Sequence, residues 1–459
     1  MGLRFNDKLG ESGRPFPLAR PSHQTTEPYA YGVDSGTKYL LVSAAGAANT
    51  LNAFRPLAKN GIGIPLVWTS ATPTSELPLQ AIAWQQAATA AFAVKGALRT
   101  RSGRLGLGIS VASWIGLLGL HRVAQGSRDV LERALVDELG PNYRDAYDGL
   151  PTPPTDVTFS RQQKALPRPG QRSRYALASD LSYGEFGKWN LLDIWARRDL
   201  PLDRGAPVLL QVHGGSWTMG SKRGQAHPLL SHLAQQGWVC VAINYRLSPK
   251  SDWPSAIVDV KQSIAWVKEH IAQFGGNPGF IAITGGSAGG HLSALAALTP
   301  DVSEFQPGFE AADTRVQAAV PLYGAYDLVD DDSLGAPETH DFLAKKVFKT
   351  TLSEDRDRWE QASPAYQVGS NAPLFMILQG ANDVIARVAQ ARRFAEVLRK
   401  ASRAPVVYAE LPVAQHGFES VSSTRTAHTV SAIERFLAYA RASAAARDHA
   451  DEILNPHAT

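Results

Sequence analysis

Phe280–Thr284 (FIAIT) runs without a break into Gly285-Gly286-Ser287-Ala288-Gly289 and then into the Ala- and Leu-rich stretch Ala288–Leu298. The first five residues read as a short buried strand, and the last eleven as a helix. Between them stands G-x-S-x-G. A strand before this motif and a helix after it are what its mechanics require. The glycines leave no side chain to clash in a sharp turn that holds the serine in a strained conformation, its Oγ exposed at the sheet edge. Elsewhere the same five residues would be an ordinary Gly-rich turn. In this setting Ser287 is a candidate nucleophile.

Outward from that turn the same alternation repeats. Asn190–Ala196 (NLLDIWA), Val208–His213 (VLLQVH), Trp238–Asn244 (WVCVAIN), Val316–Leu322 (VQAAVPL), Leu374–Gln379 (LFMILQ) and Val406–Leu411 are short and nearly continuously apolar. Such runs suit strands covered by helices on both faces. Helical segments fall between them. In Pro254–Gln273, Ile257, Val260, Ile264, Val267 and Ile271 recur at spacings of three and four, with Pro254 at the start and Gly275-Gly276 at the end. Ala386–Lys400 and Ala427–Arg441 read similarly. The pattern predicts an α/β fold with a mostly parallel sheet flanked by helices, and ligands gathering at the carboxyl ends of the strands.

A serine hydroxyl needs a base to take its proton, and the base needs an acid to orient it. Asp383 follows the strand Leu374–Gln379, and His416 follows Val406–Leu411, both past the strand ends that share an edge with Ser287. Helix capping is the bland alternative for Asp383, and an ordinary loop position for His416. Asp327 is a reserve acid better suited to bracing a loop. Donors for an oxyanion are expected from His213-Gly214-Gly215-Ser216-Trp217, just past the strand Val208–Gln211. The main-chain N–H groups of Gly215 and Ser216, with that of Ala288, are the candidates, while His213 reads as structural. Trp217 and Tyr323, near strand ends, are candidate pocket walls. Cys240 lies mid-strand and reads as a buried inert thiol, and His291 as packing beneath the turn.

The set HGGSW (213–217), NYRLSP (244–249), GGSAGG (285–290), QGANDV (379–384) and QHGF (415–418) resembles the α/β-hydrolase serine esterases and lipases of the hormone-sensitive-lipase-like group. It is similar also to the feruloyl-esterase-like and kynurenine-formamidase-like branch. The resemblance covers about residues 172–445. It implies an α/β-hydrolase fold, with Ser287 as nucleophile, Asp383 as acid, His416 as base and Gly215, Ser216 and Ala288 around the oxyanion. It also implies a carboxylic ester hydrolase that forms an acyl-enzyme on short- to medium-chain acyl esters. An arylformamidase-like or aryl-ester activity, or a catalytically silent binding scaffold, are the alternatives. Two positions depart from the family pattern: Ser216 stands where a third glycine is usual, and Gly286 where the lipase-like group often has Asp.

Composition sets the limits. Of 459 residues, 44% are hydrophobic and 19% charged, with a formal charge of +4 and a single cysteine, Cys240. A large core can be buried, and disordered, collagenous and coiled-coil classes are excluded. One cysteine allows no internal disulfide and no Cys-based zinc site. No metal-ligand motif or dinucleotide loop is visible, so neither metal nor organic cofactor is expected. No clustered Lys/Arg stripe points to nucleic acid. Met1–Thr26 is polar, unlike a standard secretory signal peptide.

The expected organisation is an N-terminal helical, membrane-associated extension over 1–150, a Pro-rich linker over 151–172, a catalytic domain over 173–446 and a tail over 447–459. Residues 77–94 and 105–120 carry no charge, and between them stand Lys95, Arg99, Arg101 and Arg104 without an acid. Two helices joined by a cationic turn follow. They could span a membrane, lie in its interface or cap the core as a soluble unit. The extension is similar to those of actinobacterial cell-envelope esterases, which favours the membrane or cell envelope over the cytoplasm. The expected partner is a small-molecule or lipid ester, with membrane-surface contact through the N-terminal region.

Overall fold

The computed structural model describes residues 33–58, 61–147, 153, 157, 159 and 169–454. Most of the expected linker, the residues before Val33 and those after Leu454 lie outside the described residues. Among the described residues eight strands form one sheet: β1 (Ala176–Ser182), β2 (Leu191–Trp195), β3 (Ala206–Val212), β4 (Val239–Ile243), β5 (Gly276–Gly286), β6 (Ala318–Leu322), β7 (Leu374–Gly380) and β8 (Val406–Leu411). Their spatial order is β1-β2-β4-β3-β5-β6-β7-β8. β2 runs antiparallel to β1 and β4, and every pairing from β4 to β8 is parallel. The fold is the expected mostly parallel α/β sheet.

β1 is the strand that sequence reading missed. Ala176–Ser182 (ALASDLS) has no β-branched or aromatic residue, and it pairs along one edge of β2 with register shifts. An edge strand with little to bury leaves a weak sequence signal.

Among the described residues twelve α-helices accompany the sheet. Four precede it: α1 (Ser35–Phe54), α2 (Ile64–Glu76), α3 (Pro78–Val94) and α4 (Arg101–Leu139). α5 (Pro169–Tyr175) leads into β1. Within the sheet region come α6 (His227–Gln235), α7 (Ser255–His270), α8 (Ala288–Leu298), α9 (Glu338–Leu343), α10 (Arg356–Ala362), α11 (Val388–Ala401) and α12 (Thr424–Leu454). Ile257, Val260, Ile264 and Val267 of α7, Leu292 and Leu295 of α8 and Phe394 and Leu398 of α11 bury against Val208, Leu210, Ile281, Ile283 and Ile377 on one sheet face. On the other face Leu230 and Leu233 of α6 and Ile433, Phe436 and Leu437 of α12 meet Leu209, Cys240, Ala282, Met376 and Val407. Use of both faces is why the central strands read as unbroken apolar runs. α12 continues to Leu454, well past Arg441, because Ala442–Ala446 (ASAAA) consists of strong helix formers with one serine.

α4 links the two regions. Its first half packs along α1 and α3, and its second half brings Leu131 and Leu135 into the core beside α12 and β8. It is the one helix among the described residues long and apolar enough to cross a membrane by length and composition.

Candidate active site

The turn between β5 and α8 holds Ser287 at φ 59°, ψ −123°. Each glycine around it is required by close approach. A Cβ at Gly285 would fall 2.5 Å from the Val212 carbonyl oxygen, one at Gly286 2.5 Å from the Tyr323 hydroxyl, and one at Gly290 2.6 Å from the Leu322 carbonyl oxygen. A Cβ at Gly289 would clash with the Val212 oxygen. The Ser287 N–H donates to Leu322 (3.0 Å), and its carbonyl accepts from the His291 N–H (3.0 Å), so the strain is held from both sides. Ser287 is partly exposed while its neighbours are buried.

The HGGSW loop lies directly on this turn. A Cβ at Gly214 would meet the Gly286 oxygen at 2.5 Å and the Ser287 Cβ at 3.1 Å. Gly215, Ser216 and Trp217 have φ of 127°, 51° and 59°, a run of left-handed residues that winds the backbone back beside the serine. The Gly214 N–H is taken by Gln225 Oε1 at 2.7 Å. His213 is buried with its ring stacked on Tyr245 at 4.3 Å, and its Nδ1–H donates to the Gly214 carbonyl. Burial lowers its pKa to about 4, so it stays neutral. Trp217 is buried, its indole N–H donating to His291 Nδ1 at 3.1 Å, while His291 Nε2–H donates to the Ala362 carbonyl at 2.7 Å. Burial lowers the His291 pKa to about 4 as well.

Asp383 and His416 stand on neighbouring loops at the carboxyl ends of β7 and β8. His416 Nδ1–H donates to Asp383 Oδ2 at 2.8 Å. The other carboxylate oxygen accepts from the Ile385 and Ala386 N–H groups, both at 2.8 Å, and Gln379 Nε2 reaches Oδ2 at 3.2 Å. Both residues are 6% exposed. No hydrogen bond joins Ser287 to His416 in this arrangement. One ring stands against both: Tyr323 packs on the imidazole with centroids 4.6 Å apart and faces Gly286 with its hydroxyl. Asp327 braces its own loop, accepting from the Val329 and Asp330 N–H groups at 3.0 and 2.9 Å.

Three contributors escaped the sequence reading. Glu419, three residues after His416, is buried and accepts a short hydrogen bond from the Tyr323 hydroxyl, and burial raises its pKa. Trp68 of α2 donates its indole N–H to the His416 carbonyl at 2.8 Å. Asn382, beside Asp383, donates to the Ala53 and Phe54 carbonyls at the end of α1 at 3.2 and 2.9 Å. The N-terminal helices therefore touch the loops of both Asp383 and His416. Nothing in a linear pattern points to a partner 348 residues away. Among the described residues no group of His, Cys, Asp and Glu is arranged to hold a metal ion.

Comparison with known proteins gives the family. The BD-FAE family model matches residues 192–398. A Mycobacterium tuberculosis protein named "Probable carboxylic ester hydrolase LipM" is 47% identical over 87% of this chain and 92% of its own length. "Esterase LipQ" of the same organism is 46% identical over 70% of this chain and 77% of its own length. Among solved structures, a bifunctional GH43-CE protein of Bacteroides eggerthii superposes with a TM-score of 0.50 at 24% identity, over 57% of this chain and 35% of that one, a likeness in fold alone.

Proposed function

Because the chain belongs to the α/β-hydrolase family of carboxylic ester hydrolases that includes LipM and LipQ, we propose that it hydrolyses carboxylic esters with Ser287 as nucleophile, His416 as base and Asp383 as orienting acid. The observation that carries the assignment is the 2.8 Å Asp383–His416 pair on the same sheet edge as a serine at φ 59°. With Nδ1–H committed to Asp383, His416 presents the lone pair of Nε2. That nitrogen takes the Ser287 proton as Oγ attacks the ester carbonyl. The N–H groups of Gly215, Ser216 and Ala288 stabilise the tetrahedral oxyanion, each worth about 3–4 kcal/mol of barrier. Collapse expels the alcohol, which leaves with the imidazolium proton, and an acyl-enzyme remains. Water then adds through the same base, the Ser287–acyl bond breaks, and the acid departs.

The substrate class that fits is a short- to medium-chain acyl ester. Tyr323 borders the site beside His416. Trp217, buried against His291, shapes the wall from behind the HGGSW loop. Membrane contact through the N-terminal helices is part of the same proposal, supported by α4.

Ser287→Ala should abolish turnover of p-nitrophenyl acetate and butyrate and labelling by a fluorophosphonate, with the melting temperature unchanged. Retained turnover overturns the assignment. Faster turnover of an N-formyl anilide than of any ester would overturn the substrate class but not the triad.

A further inference from the structure

Helices α1, α3 and the first half of α4 are packed inside out. α1 and α4 run parallel, with Gly106 against Tyr39 and Leu40, Gly116 against Thr50 and Gly119 against Phe54. α3 runs back between their ends, Thr89 meeting Tyr39 and Ser35 Oγ reaching the Lys95 carbonyl. The buried positions of α4 in this part are Gly103, Gly106, Ser110, Ser113, Leu117 and Leu120, spaced alternately three and four apart. Small residues on that seam let backbones approach, and hydroxyls bridge the helices. Ser110 Oγ donates to Ser43 Oγ at 3.0 Å and accepts from Tyr39 at 3.1 Å, and Thr50 and Ser113 pair at 2.8 Å.

The outer surface is the reverse. Fourteen large apolar side chains are exposed between Val33 and Leu118, against five in the rest of the described residues. On α3, Trp84 and Val94 are 77% and 90% exposed, and on α4 Leu105, Val111, Ile115 and Leu118 face outward. From Leu41 to Phe54, Leu79 to Val94 and Leu105 to Leu118, the exposed polar side chains are Gln80 and Gln86, and no exposed charge interrupts the surface. In water, burying hydroxyls while exposing Leu, Ile and Trp inverts the usual economy of folding. In hydrocarbon it is the stable arrangement.

Length and charge identify the occupant of that surface as a bilayer rather than a second chain. α4 alone has the length and apolarity of a self-sufficient span, whereas α1 with 20 residues and α3 with 17 reach about 25–30 Å at 1.5 Å per residue, close to the ~30 Å hydrocarbon core, and bury their polar side chains against α4 and each other. All three are capped at one end by exposed cations: Lys38, Lys95, Arg99, Arg101 and Arg104. The far ends, at Phe54, Leu77 and Leu120, lie toward the hydrolase. Between Asp34 and Asp129 the only acid is Glu76, which is buried.

We propose that α1, α3 and the first half of α4 cross a lipid bilayer as a three-helix bundle, with the Lys95–Arg104 turn on the cytoplasmic side and the hydrolase on the opposite face. The hydrolase end carries Arg55, Lys59, Arg122 and Arg128 against the five cations of the other end, so a bias of one cation sets this orientation. The proposal deepens the membrane contact above by adding three crossings and sidedness, and it does not depend on the triad.

The full chain allows a clean test, because Cys240, its one cysteine, is fully buried. Lys95→Cys, Val111→Cys and Leu202→Cys would each be made in the full-length protein in a bacterial membrane and treated with a membrane-impermeant maleimide. In right-side-out vesicles only Leu202→Cys should label, in inverted vesicles only Lys95→Cys, and Val111→Cys should label in neither until detergent is added. Labelling of Val111→Cys in intact vesicles, or release of the chain by an alkaline wash, overturns the crossing. The opposite pattern for Lys95→Cys and Leu202→Cys overturns the sidedness. Fluorophosphonate labelling of Ser287 in the same vesicles reports the hydrolytic assignment separately.

Discussion

Gly286 explains itself once Tyr323 is in place. The Asp that the lipase-like group often has here would need a Cβ 2.5 Å from the Tyr323 hydroxyl, with ring carbons at 2.9 Å. Gly286→Ala must push the tyrosine, and the tyrosine packs on the His416 imidazole. Overpacking of this kind costs about 1–3 kcal/mol. The expected outcome is a lower melting temperature and a kcat reduced at least tenfold, read by p-nitrophenyl butyrate turnover per fluorophosphonate-titrated site. His291 gives a prediction in pH. Burial lowers its pKa to about 4 from an unfolded value near 6.5, so the unfolded chain binds the extra proton between those values. Stability is therefore intact above pH 6.5 and declines as pH falls toward 4, by up to about 3 kcal/mol from this one group. His291→Gln can keep both hydrogen bonds without titrating, and should flatten the unfolding free energy between pH 6.5 and 4. An unchanged slope would assign the effect to other groups. At this scale the sequence pointed to Ser287, Asp383 and His416, the proposed triad, because each follows a strand in a short motif. It was silent on Glu419 and Trp68, whose meaning lies in contacts across the fold.

Among elements, α8 carries the proposed nucleophile at its N-terminus, and its other end is held by a buried cation. Lys261 of α7 donates Nζ to the carbonyls of Thr299, Pro300 and Val302 just past the last turn. An ammonium at a helix C-terminus satisfies orphan carbonyls and complements the helix dipole. Burial lowers its pKa to about 8, so it keeps most of its charge at neutral pH. Lys261→Met keeps the apolar stem and loses the donors. It should cost about 2–3 kcal/mol in denaturant unfolding, with KM for a short ester little changed. The central strands β3 to β8 were legible because both faces are buried. The N-terminal helices were half legible: uncharged stretches betrayed α3 and the start of α4, but α1 and α2 passed unread. Many of their buried positions are polar, Ser43, Thr50 and Asn52 in α1 and Thr74, Ser75 and Glu76 in α2, and an apolar-periodicity reading looks for the opposite.

At the scale of the whole molecule, the N-terminal helices and the hydrolase are fastened by an ion pair withdrawn from water. Glu76 at the end of α2 faces Arg425 of α12 at 3.5 Å, both side chains fully buried, and Glu76 also accepts from Ser423 at 2.8 Å. Burial raises the Glu76 pKa, and Arg425 opposes the rise. Glu76→Gln strands the guanidinium and should destabilise the chain by about 3–5 kcal/mol, whereas Glu76→Leu with Arg425→Leu should cost much less. A double-mutant cycle by chemical unfolding measures the coupling. The same region holds Trp68 on the His416 loop and α1 on Asn382, so the N-terminal helices are hydrogen-bonded to the loops of both Asp383 and His416. Through it all runs α4, 39 residues and about 58 Å without a break, one half inside the bundle and the other against the β-sheet core. Under the proposed crossing, a shaft with no joint would set a fixed stand-off between lipid and scissile bond. An enzyme so placed would work as a ruler, favouring esters whose reactive carbonyl sits at that height above the surface and passing over those held closer in or farther out.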